Sequence, residues 1–81
     1  VRALVTDADG PRLAEGRELP EVGPNEALVR VELAGLGSLD VACATGRIGH
    51  AGVIGHELVG VVEKLGERVA RSPLIGKRVV A

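Results

Sequence analysis

GHELVGVVEKLGERV, residues 55–69, is the stretch on which the reading of this 81-residue chain turns. Its middle, Leu58 to Val62, is apolar on both faces, which is the pattern of a strand at the centre of a sheet. Gly66 interrupts the run where a strand would bulge or turn. In front of the strand two ionisable side chains, His56 and Glu57, stand side by side. Adjacent residues of a regular strand point to opposite faces, so the pair can serve one ligand only if one member reaches round.

Strand signals continue on both sides. VRALVT, residues 1–6, alternates toward one greasier face, and after the turn chemistry of Asp9-Gly10-Pro11 the segment PRLAEG is placed to return antiparallel to it. PEVGPN, residues 20–25, packs two prolines and a glycine into a loop. In EALVRVEL, residues 26–33, Ala27, Val29, Val31 and Leu33 share one face, and Glu26, Arg30 and Glu32 the other, predicting a half-buried strand. SLDVACAT, residues 38–45, is the one helix candidate, with Ser38 as cap, Asp40 suited to the first turn and Gly46 to close it. IGKRVVA, after Ser72-Pro73, is a last strand. Short strands, Gly/Pro turns and one helical scrap predict an all-β fold with one short helix, a small barrel or sandwich.

Composition narrows the function. The chain is 46% hydrophobic and 26% charged with a net charge of −1, so neither nucleic acid nor an anionic membrane is expected as a partner. It has no aromatic residue, which removes the platforms on which single-stranded nucleic acids stack. Its charge is uneven: residues 1–40 carry four basic and eight acidic groups, and residues 41–81 carry six and three. Two halves facing each other within one fold would account for that. A single cysteine, Cys43, allows no internal disulfide. No apolar run approaches the ~20 residues of a membrane span, and no signal segment opens the chain. A cytoplasmic protein is expected.

Several site motifs fail on their chemistry. GLGSLD, residues 35–40, begins as a phosphate loop but puts Asp40 where a third glycine belongs, and GKR at 76–78 lacks the hydroxyl and upstream glycine of a P-loop. Ser38, His56 and Asp40 could form a triad on paper, but no nucleophile elbow surrounds Ser38. Metal chemistry has more candidates: His56, Glu57, Cys43, Asp40 and His50 are all ligand types. From the residues alone His56 is equally a ligand or a hydrogen-bonded strand histidine, Cys43 reads as a small buried hydrophobe, and His50 lies in a solvated Gly/Ala loop.

Residues 55–69 fit the zinc-alcohol-dehydrogenase signature G-H-E-x-x-G-x(5)-[GA]-x-x-[IVSAC] at Gly55, His56, Glu57, Gly60, Gly66 and Val69. With VRALV, GPNEALVRVELAG, Asp40 and IGKRVVA in the expected order, the chain resembles the amino-terminal GroES-like domain of the medium-chain dehydrogenase/reductase superfamily. That resemblance implies a partly open GroES-like β-barrel over residues 1–81, an incomplete domain and a fragment of a larger α/β enzyme whose Rossmann domain is absent. It makes His56 a zinc ligand, Asp40 the carboxylate that orients it, and Glu57 an acid tuning the metal. Two positions depart from the pattern. Gly37 stands where a cysteine thiolate is implied, and Leu39 where a proton-relaying Thr or Ser is implied, so a zinc site is put in doubt; Cys43, one helical turn beyond Asp40, is a possible substitute. Lys77 stands in place of an aspartate, at a solvated turn.

The function so implied is the catalytic-domain portion of an NAD(P)-dependent alcohol or polyol dehydrogenase, with a small-molecule alcohol as substrate. NAD(P) belongs to the full-length family, and this chain has no cofactor-binding residues for it. The alternative is a non-catalytic β-domain with a degraded metal site, serving as a structural, folding or interaction module. In either case exposed strand edges predict self-association.

Overall fold

The computed structural model describes all of residues 1–81. Two compact units divide the chain, and each is assembled from two separated segments. The first comprises Val1–Leu19 and Gly35–Glu57, the second Pro20–Ala34 and Leu58–Ala81.

In the first unit, strand β1 (Ala3–Asp7) turns at Asp7-Gly10 into β2 (Gly10–Ala14), with Leu4 opposite Leu13 and Val5 opposite Arg12. The hairpin that Asp9-Gly10-Pro11 predicts is present. Asp7 accepts a hydrogen bond from Asp9 N and an ion pair from Arg12, and that guanidinium holds the Asp7 carboxyl below its usual range. On its other side β1 pairs antiparallel with the two-residue β4 (Gly52–Val53), giving the sheet order β2-β1-β4. Helix α1 (Ser38–Ala44) packs against β1. The centre of this unit is small: Val5, Thr6, Asp40 and Ile54 are its buried side chains, and the Thr6 hydroxyl lacks a hydrogen-bond partner.

The second unit holds all but the last residue of β3 (Ala27–Gly35), all but the first of β5 (Glu57–Leu65), and β6 (Arg78–Val80), which form a sheet in the order β3-β5-β6. The doubly apolar run of residues 58–62 is therefore in the central strand, as its composition predicts, and Val62 is its buried apolar side chain, 2% exposed. β6 lies antiparallel to it, Gly60 opposite Val79. Both sheets are open and three-stranded, neither closing on itself, in keeping with a mostly-β, partly open fold with one short helix. None of the helices is long and apolar enough to cross a membrane.

Side-chain pairs bind the acidic and basic halves of the sequence together. Arg30 on β3 donates to Glu63 on β5 at 2.9 Å. Arg78 on β6 grips Glu32 on β3 with two hydrogen bonds of 2.8 and 3.2 Å, joining the two edge strands across β5. The Arg78 guanidinium lowers the Glu32 pKa. Of these two pairs only Arg78–Glu32 joins a base of the basic half to an acid of the acidic half; Arg30–Glu63 runs the other way.

The predicted strand over residues 26–33 is present, but of its apolar face only Val29 is half-buried. Val31 is 50% exposed and Leu33 is 70% exposed. Alternation sets which face of a strand is apolar; whether that face is covered depends on what packs against it, which the strand's own sequence does not encode.

Two glycines of the 55–69 stretch are required by close approach. A Cβ on Gly60 would lie 2.5 Å from both the carbonyl oxygen of Arg30 and Cγ1 of Val29, and one on Gly66 would overlap the carbonyl oxygens of Gly23 and Pro24. Gly66 caps the 3₁₀ turn Glu67–Val69, and its N–H donates to Glu26 O at 2.8 Å, so the strand ends there by docking onto the loop. Gly60→Ala is accordingly expected to destabilise the chain by about 1–3 kcal/mol, the usual range for overpacking a filled site. Chemical denaturation, with the midpoint falling and the slope unchanged, measures it.

Candidate functional site

The first unit brings three of the predicted site residues together. Asp40, near the start of α1, is 5% exposed. Its Oδ2 accepts the N–H of Gly37 at 2.9 Å, and its Oδ1 accepts the N–H of Gly55 at 2.8 Å and faces His56 Nδ1 at 3.3 Å. The backbone hydrogen bonds from Gly37 and Gly55 lower the Asp40 pKa most, His56 adds to them, and burial opposes them. An ionised carboxylate only accepts, so the facing Nδ1 carries the proton and the lone pair of a neutral His56 ring sits on Nε2. At 3.3 Å this contact is longer than the two backbone bonds, and His56 itself is more than half exposed.

The helix is capped differently from the expectation that Ser38 would do so. Gly37 is the N-cap, Ser38 is the first helical residue, and Asp40, three residues on, reaches back to the Gly37 N–H. This is the returning half of a capping box, in which the acid at the third helical position replaces a hydroxyl at the cap. Ser38 makes no hydrogen bond to His56 or Asp40, so no triad is assembled. At the other end Thr45 is the C-cap and Gly46, at φ +78°, turns the chain away as predicted.

His56 and Glu57 do not point apart. His56 precedes β5, and Gly55, at φ +97°, turns the backbone in a way open to few residues other than glycine. Off the regular strand the opposite-face rule does not apply, and both side chains reach the space above Gly37. A Cβ placed on Gly37 would meet Glu57 Oε1 at 3.4 Å, His56 Cε1 at 3.9 Å and Asp40 Oδ2 at 4.0 Å.

Beside this cluster is a hollow of about 360 Å³ lined by Asp40, Cys43, His50 and His56 and walled mainly by Leu39, Ile48, Val53 and Ile54. Cys43 is a free, half-buried thiol, and exposed His50 hydrogen bonds to Val53 O at 3.0 Å. Sequence patterning does not predict this hollow, because its walls come from α1, the 46–51 loop and β4, which only the fold brings together. Lys77 is exposed and donates its N–H to Leu74 O in a turn.

Zinc needs three protein ligands for a catalytic site. No three of the His, Cys, Asp and Glu side chains in this chain are grouped to hold a metal ion. Both Asp40 oxygens are engaged by backbone N–H groups, which leaves one imidazole and the Glu57 carboxylate. The residues present do not fit a zinc centre.

Comparison with known proteins places this arrangement in a family. The model of the alcohol dehydrogenase GroES-like domain matches residues 23–81. A probable alcohol dehydrogenase of Mycobacterium tuberculosis is 43% identical over 70 residues, covering 84% of this chain and 19% of that protein. Human sorbitol dehydrogenase is 40% identical over 73 residues, 83% of this chain and 20% of its own length. An alcohol dehydrogenase of Cupriavidus necator is 37% identical over 67 residues, 80% and 18%. The chain belongs to the alcohol dehydrogenase GroES-like domain family. It spans about a fifth of the length of these relatives. No solved structure is significantly similar to it.

Asp40 contributes stability that is complete above the ordinary carboxylate pKa of 3.8 and is lost as pH falls through the lowered folded value. Asp40→Asn removes that charge and sets an amide N–H against one of the two backbone donors. The variant should melt several degrees lower at neutral pH, and its deficit should shrink as the pH drops below 3.8. Thermal scans of both proteins from neutral to acid pH make the comparison.

Proposed function

We propose that this chain is the amino-terminal, GroES-like portion of an NAD(P)-dependent alcohol or polyol dehydrogenase, working in the cytoplasm on a small-molecule alcohol and inactive as an isolated chain. The observation that carries the reading is the Asp40–His56 couple beside Glu57, at the mouth of a mainly apolar hollow. Relatives named alcohol dehydrogenase and sorbitol dehydrogenase, matched over four-fifths of the chain, support it. In this reading Asp40 holds the Nδ1 proton and so aims Nε2 of His56 outward, and Glu57 supplies negative charge beside it. Leu39, Ile48 and Val53 offer an apolar wall to the carbon skeleton of the alcohol. Hydride transfer itself belongs to a nicotinamide site elsewhere in the assembled enzyme.

A second reading is favoured by two residues, Gly37 and Leu39. Neither brings a ligand or a hydroxyl to the site, and a non-catalytic β-domain serving as a structural, folding or interaction module accounts for both. Sequencing the transcript beyond Ala81 separates the readings. The first expects an in-frame G-x-G-x-x-G unit and nicotinamide-dependent alcohol oxidation by the complete product. A stop codon directly after Ala81 leaves the second.

Under either reading the isolated chain self-associates. Val31, Leu33 and Val80, on the edge strands of the second sheet, are 50%, 70% and 78% exposed. Uncovered apolar surface on a strand edge recruits further strands. Sedimentation velocity across the micromolar range should show dimers or larger species growing with concentration, and a strictly monomeric boundary throughout would refute it.

A further inference from the structure

The family's metal and this chain's residues disagree, and the geometry locates the disagreement at one position. Of the glycines around the site, Gly37 is the one whose Cβ would stand within 4.0 Å of Asp40, His56 and Glu57 together. Gly35, two residues earlier, adds a second constraint. A Cβ there would lie 3.1 Å from Glu57 Oε2 and 3.3 Å from its Cβ, tighter than side chains ordinarily approach. The bare backbone at 35 and 37 therefore forms a floor on which the Glu57 side chain lies, its two carboxylate oxygens directed one toward each glycine.

We propose that Asp40, His56 and Glu57 form a metal-free polar cluster whose capacity for zinc is decided by residue 37, where a Cβ would stand at ordinary contact distance from all three side chains. The donor arithmetic supports this. Asp40 spends its oxygens on the Gly37 and Gly55 N–H groups, and Nδ1 of His56 is turned toward Asp40. What remains is one ring nitrogen and one carboxylate, a pair that falls one ligand short. A thiolate on residue 37 would extend from a Cβ already in contact with both and would make the third. Cys43 lines the neighbouring hollow but is not grouped with His56 and a third ligand. The inference is independent of the dehydrogenase reading, since it concerns only what these residues hold.

The test is equilibrium dialysis of the 81-residue chain against Zn²⁺ and Co²⁺, in a Cys43→Ser background that silences the other thiol. With Gly37 in place, no stoichiometric metal should be retained at low micromolar free zinc. Gly37→Cys should bind one equivalent on the order of tenfold more tightly or better, with a thiolate-to-cobalt absorption band in the near ultraviolet that His56→Ala abolishes. One tight equivalent in the chain that keeps Gly37, lost on His56→Ala, overturns the proposal. So does a Gly37→Cys variant that keeps the native circular dichroism yet gains no affinity. Should the cysteine disturb the fold, the chain with Gly37 still decides: tight binding refutes the proposal, and none supports it.

Discussion

The carboxylate of Asp40 gathers three groups from two separate parts of the chain around one buried charge: the Gly37 N–H at the start of α1, and the Gly55 N–H and His56 ring just before β5. A carboxylate this enclosed is tolerable only because both oxygens meet donors, and those donors keep it ionised. The same bonds fix where the helix begins, where the 46–55 segment returns, and which nitrogen of His56 holds a proton. Remove the charge and each of these loses its reference point. The site geometry is thus a by-product of satisfying one buried acid.

Much of the architecture is legible along the chain, because strands announce themselves through local pattern. The β1–β2 hairpin, the β3 strand and the central position of residues 58–62 follow from alternation, turn residues and two-sided apolarity. What the sequence leaves open is how elements meet. Val31 and Leu33 sit in the predicted strand yet remain exposed. Ser38 is a better cap by residue type than Gly37, but Gly37 is the cap and Asp40, three positions beyond it, binds its N–H. His56 and Glu57 read as opposite-facing under strand geometry, and one left-handed glycine, Gly55, undoes that rule. The three discrepancies have different causes: a strand face left uncovered, a local capping bond and one left-handed backbone angle.

The 55–69 stretch also separates two kinds of information that a family signature mixes. Gly60 and Gly66 answer to packing: each lies where a neighbouring backbone leaves no room for a Cβ. His56 and Glu57 answer to chemistry. A chain can retain the first set, and with it the fold, while the partners of the second set change. Here Gly60 and Gly66 serve packing while position 37 contributes no ligand, so family membership, which rests on the sequence matches, does not of itself specify what the site holds.

The interleaving of the two units carries a consequence for how the chain reaches its structure. Neither unit is contiguous: the first waits for residues 35–57 to join residues 1–19, and the second for residues 58–81 to join residues 20–34. On a ribosome the hairpin can form early, whereas β3 must wait for β5, which is synthesised more than twenty residues later. Pairing at such separation carries a loop-closure cost before any contact rewards it, so folding is governed by non-local closure rather than by local helix formation. Until β5 arrives, the apolar residues of β3 are held in solution without their neighbour, a vulnerable interval set by chain order alone.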